Sequence, residues 1–175
     1  MIALSRRAAI VLAAFGLLTT ALPATDGRAD SAMADGKAEG TLTVNGKTTN
    51  VAFAHARSVP GFSDPNTKDI LVIVSDVKLD DKALADEFAR IDMAKQGKLH
   101  AFEITVDATG TPVSTAWRHD GFKGAMPSGL SSDDVFTKKT LDDKLVEGSY
   151  KSAAPAEFFD NTYAFDVTFR AAIAH

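Results

Sequence analysis

The chain has 175 residues, a net charge of -4, no cysteine, one tryptophan and four histidines. A mildly acidic chain without a cluster of Lys/Arg interleaved with aromatics repels phosphate backbones, which argues against nucleic-acid binding. The absence of cysteine excludes disulfides, thiolate metal sites, a cysteine nucleophile and a lipidated cysteine, so stability must come from a core.

The first segment reads as a targeting signal. Basic "MIALSRR" precedes the apolar run "AAIVLAAFGLL", which is too short to span a bilayer. Residues 1–24 are expected to be a cleavable signal peptide, cut after Ala24 or as late as Ala34, where Ala32-Met-Ala34 has the small-x-small pattern. The protein is then periplasmic or secreted. Residues 25–38, small and polar with no apolar period, read as a flexible leader, and 39–175 as a single globular domain with no membrane-spanning run.

The domain opens on "GTLTVNGKTTNVAFAHARS", two alternating runs joined by Asn45-Gly46, the pair a type I′ hairpin turn requires. This turn sets Val44 opposite Lys47 and Leu42 opposite Thr49, and simple alternation then places Leu42, Val44, Val51, Phe53 and His55 on one face. After the turn-rich "VPGFSDPNTKD", the apolar, β-branched "ILVIVSDV" predicts a strand covered on both faces. One amphipathic helix is expected over about 80–96, capped by Asp80, stopped by Gly97, and directing Leu84, Phe88 and Ile91 inward.

"KLHAFEITVDATGTPVSTAWRHDGF" reads as a second hairpin with "DATG" as its loop. A four-residue loop makes Ile104 oppose Val113 and His100 oppose Trp117, with His100 and His119 diagonal on the apolar face and Arg118 and Asp120 on the other. "VFTKKTL" reads as a lysine-protected edge strand, "KLVEGSYKS" as another strand, and "AAPAEFFDN" as a turn-rich link. The final "TYAFDVTFRAAI" alternates Tyr163, Phe165, Val167, Phe169, Ala171 and Ile173 against smaller or polar residues. The expected fold is α+β: an antiparallel-rich β-sandwich or partly open β-barrel of six to seven strands with one helix.

Three histidines, His55, His100 and His119, fall on the apolar face of their own strands. Neutral imidazoles converging from several strands are what a zinc or copper site uses where no thiolate is available, and Asp120 or Asp76 could supply a carboxylate. Trp117 is either core or a stacking platform beside the same histidines for a small ligand. No G-x-S-x-G elbow, phosphate-cradling glycine loop, H-E-x-x-H helix or EF-hand loop occurs, so no catalytic residue is assigned. The expectation is therefore non-enzymatic binding of a small ligand or an envelope protein, through Trp117, His119, His100 and His55. The competing expectation is a histidine-ligated metal protein, a binder or a small hydrolase, using His55, His100 and His119.

Overall fold

The structure is a computed structural model that describes residues 33–175. The expected signal peptide and most of the leader lie outside the described residues. The described residues fall within one compact unit, Ala32–His175, and among them no helix is long and apolar enough to cross a membrane.

Ten strands form one largely antiparallel sheet. In chain order they are β1 (Lys37–Val44), β2 (Lys47–Asn50), β3 (Phe53–Pro60), β4 (Lys68–Ser75), β5 (Ala101–Val106), β6 (Pro112–Arg118), β7 (Val135–Leu141), β8 (Leu145–Lys151), β9 (Ala156–Phe158) and β10 (Asn161–Ala174). Their order across the sheet is β6-β5-β4-β3-β1-β10-β8-β7, with β2 paired to β1 and β9 to β10. The sheet curls into a half-barrel, and a short parallel pairing of Ile173 with Ala56 draws β10 against β3. The antiparallel, β-rich character matches expectation; the strand count exceeds the six to seven expected, in part because one expected strand divides into β2 and β3 and because β9 forms within the turn-rich link.

The inner face holds the main core: Leu42, Val44, Val72, Val74, Phe102, Ile104, Trp117, Phe165, Val167 and Phe169 are all nearly or fully buried. The alternation of β10 does what its sequence predicts, with Phe165, Val167, Phe169, Ala171 and Ile173 inward. β1 starts at Lys37, inside the expected leader, because Ala38 is a core residue and Lys37 pairs with Arg170. At Gly40 the two chains approach so closely that a Cβ would run into the Asp166 backbone, and φ is +116°, so only glycine serves.

Asn45 and Gly46 both have positive φ (51° and 79°), and the first hairpin has the register read from its turn, Val44 opposite Lys47 and Leu42 opposite Thr49. The strand then breaks at Val51-Ala52, and the alternation inverts. Ala54 and Ala56 point into the core, while Phe53 and His55 face outward.

The expected single helix is two: α1 (Asp81–Ala85) and α2 (Glu87–Lys95), separated by Asp86 in an extended conformation. Asp80 caps α1 as expected, accepting from the Ala83 N–H. Asp86 ends α1 and caps α2, accepting from the N–H groups of Phe88 and Ala89. This break rotates α2, so that Phe88 is exposed while Arg90 and Ala94 are buried. Asp86→Ala, which removes both cap bonds, should lower stability by about 1 kcal/mol in urea unfolding; an unchanged midpoint would show that the cap is not what fixes the break. Both helices cover the outer face, where Ile73, Leu79, Ala83, Leu99 and Ala101 form a second, smaller core.

The register of the second hairpin is shifted by two from the expected one: the turn pairs Val106 with Pro112, a shift of one, and a bulge between Thr105 and Val106 adds the second. Ile104 opposes Thr115 and Phe102 opposes Trp117. Beyond β6, residues 126–129 fold back along its free edge: Pro127 accepts from the Trp117 N–H, and the Gly129 N–H donates to Thr115. This irregular stretch shields the edge that β6 would otherwise leave open.

Candidate functional site

One end of the sheet gathers the chemistry. The Ala101–Arg118 pairing places the preceding His100 across from the following His119, so the corrected register makes them direct neighbours rather than diagonal ones. Their ring centroids are 4.4 Å apart at a 53° tilt. The first hairpin reaches the same end because Asn45 ties it there: its amide donates to Gly121 O and to Asn161 Oδ1, and its Oδ1 accepts from the Thr162 N–H.

His100 is held between two carboxylates. Asp76, the residue after β4, lies 2.6 Å from Nδ1 through Oδ2 and accepts the His100 backbone N–H through Oδ1 at 2.8 Å. On the other side of the ring, Asp120 Oδ1 lies 2.9 Å from Nε2. A neutral imidazole carries one N–H, so bonding both carboxylates at once takes a proton, or another cation, at the second nitrogen. Asp120 does not point away as strand alternation predicts, because β6 ends at Arg118 and the turn through Gly121 swings its carboxylate back.

His119 is sealed in, its side chain fully buried. Its Nδ1 accepts the Gly121 N–H at 2.9 Å and lies 3.4 Å from Asp120 Oδ1. Nε2 is 3.4 Å from Thr49 Oγ1, a long contact for a nucleophile and its base. Burial, with the positive charge of His100 adding to it, pushes the His119 pKa down to about 4, so near neutral pH the ring offers a lone pair. Burial alone would raise Asp120; the hydrogen bond from His100 and the positive charges of His100, Lys47 and His119 outweigh it and hold the carboxyl below its ordinary value. Lys47 Nζ completes the surround 3.6 Å from Asp120 Oδ1.

His100, His119 and Asp120 each present one ligand atom, all within 4.8 Å of one another. His55 is not with them. It faces outward from β3 opposite Ile73, and its Nε2 accepts the Leu79 N–H at 3.3 Å. Trp117 is core: it is 2% exposed and packs edge-on against Phe122, Tyr163 and Phe165 and obliquely on Phe102, which leaves no ring face for a ligand. Of the four expected site residues the structure brings together two, with Asp120 and Asp76 supplying the carboxylates. Lys47 and Thr49 also border the site, delivered there by the Asn45-Gly46 turn, the one sequence signal that points to them.

Arg118, expected on the solvent side, is instead buried on the outer face beneath α2. Glu103 receives Arg118 and Arg90 together, and Arg118 also reaches Glu87. This network anchors the residue immediately before His119.

The chain matches no known protein family, no curated protein and no solved structure.

Proposed function

We propose that the protein is an exported, non-enzymatic binding protein that holds a zinc or copper(II) ion through His100 Nε2, His119 Nδ1 and an Asp120 carboxylate oxygen. The observation that carries this reading is that one ligand atom from each of the three residues lies within 4.8 Å of the others, in a set whose chemistry, two imidazoles and one carboxylate, suits both metals. Asp76 supports it as an outer partner: an acceptor at Nδ1 fixes the ring and leaves Nε2 as the ligand atom. The ion takes the place of the second proton between His100 and Asp120. At His119 it displaces the hydrogen bond from Gly121.

Thermal unfolding of the purified chain with and without zinc or copper tests the reading. Metal at a hundred times its dissociation constant adds about 2.7 kcal/mol to the folded state. The melting point should therefore rise by several degrees, with His100→Ala and His119→Ala each abolishing the rise and His55→Ala leaving it intact. A rise that survives both of the first two substitutions, or none in the natural chain, contradicts the assignment.

A further inference from the structure

On the outer face of the sheet, away from the histidine pair, a cleft of about 260 Å³ opens between β3, β4 and α1. Its walls are largely aliphatic: Leu71 and Ile73 come from β4, Leu84 and Ala85 from α1. Three polar residues of β3, His55, Arg57 and Ser58, border the same space, as does His175 just after β10.

Arg57 is the telling residue. Arg90 and Arg118 share Glu103, and Arg170 pairs with Asp35 and Glu147. Arg57 is half-buried and sits across from aliphatic Leu71, yet among the described residues no carboxylate lies within ion-pair distance of it. Its guanidinium donates to one backbone carbonyl, that of Leu84, at 3.1 Å. A guanidinium has five donors in a planar fork suited to a carboxylate, and at the edge of the cleft the Leu84 carbonyl is the one protein acceptor that Arg57 meets among the described residues. His55 takes the Leu79 N–H at Nε2, so its neutral ring carries its proton on Nδ1 as a further donor.

We infer that this cleft is a second binding site, and that it takes a small monocarboxylic acid whose apolar body lies on Leu71, Ile73 and Leu84 while its carboxylate pairs with Arg57. Size and charge both narrow the class. The volume falls just below the range of pockets that enclose drug-sized molecules, which favours a compact acid. Asp81, at the start of α1, also lines the cleft, so a second negative charge on the ligand meets repulsion there.

Calorimetric titration of the full chain with hexanoate, in EDTA so that no metal-held carboxylate contributes, tests the inference. Hexanoate should bind once per chain, with hexanol and adipate each at least tenfold weaker. Arg57→Gln should weaken hexanoate at least tenfold. Ala85→Trp, which fills the cleft from an exposed helix position without touching Arg57, should abolish binding while melting as a folded protein. Failure of hexanoate to bind at millimolar concentration, equal binding of hexanol, or unchanged binding by either variant would overturn the inference. None of these outcomes depends on the metal site.

Discussion

Replacing Glu103 with glutamine should lower the stability of the protein by about 3–5 kcal/mol, the cost of removing one partner from a buried ion pair. Glu103 is 5% exposed and faces two guanidiniums: Arg90 donates through Nε at 2.8 Å and Nη2 at 3.2 Å, and Arg118 through Nη2 at 3.0 Å. Glutamine keeps the volume, so the loss is not a cavity effect. It leaves Arg118 with Glu87, which is largely exposed and well hydrated, and leaves Arg90 with the backbone carbonyls of Ala83 and Leu84. Against a typical total of roughly 5–15 kcal/mol, that loss is a large fraction. Urea unfolding should show the midpoint falling at constant slope. Replacing Glu103, Arg90 and Arg118 together with apolar residues of similar size should recover much of the loss, since a balanced buried network gives little net stability over well-packed apolar groups. A single Glu103→Gln change costing less than 1 kcal/mol would mean that the pocket admits water and the network is not buried in effect.

The metal-free protein should lose stability as the pH falls from about 6.5 towards 4. His119 has its pKa pushed down from 6.5 to about 4 in the fold, chiefly by burial. Between those values the unfolded chain takes up a proton at this position that the folded chain refuses, so the unfolded state gains with each step down in pH. The contribution is complete above pH 6.5 and gone below about 4. A shift of that size corresponds to about 3 kcal/mol, an upper figure. His55, lowered by burial and by nearby Lys78, acts in the same direction. The informative quantity is therefore the difference between the natural chain and His119→Gln across the pH range in EDTA. The natural chain should show the steeper fall. Parallel curves would mean that His119 is solvated, which its full burial argues against.

Much of the fold was readable because local rules agree with its tertiary demands. The Asn45-Gly46 turn sets its hairpin register, the alternation along β10 sets its inward face, and the apolar run of β4 marks a strand covered on both sides. The departures come from short local breaks in a period. The Val51-Ala52 interruption inverts β3 and sends His55 to the other side of the sheet. The turn that pairs Val106 with Pro112 and the Thr105/Val106 bulge each shift the register by one, and together they move His100 into direct opposition with His119. The cap at Asp86 divides the helix and rotates Phe88 outward and Arg90 inward. The first two arise from pairing across strands and leave little trace in a local pattern, and the third from a side-chain cap that the helical spacing on either side conceals. The pairing of His100 with His119 was visible as proximity, whereas the return of the Asp120 carboxylate depends on where β6 stops, which alternation cannot report.

The central claim is a single metal ion among His100, His119 and Asp120. Crystals grown with zinc, measured on both sides of the zinc absorption edge, test it most directly. The prediction is one strong anomalous peak per chain, about 2.0–2.2 Å from His100 Nε2, His119 Nδ1 and an Asp120 oxygen, with Asp76 still bonded to Nδ1 of His100. A His100 ring still bridging Asp76 and Asp120 with no peak between them, or a peak elsewhere on the chain, would contradict the account.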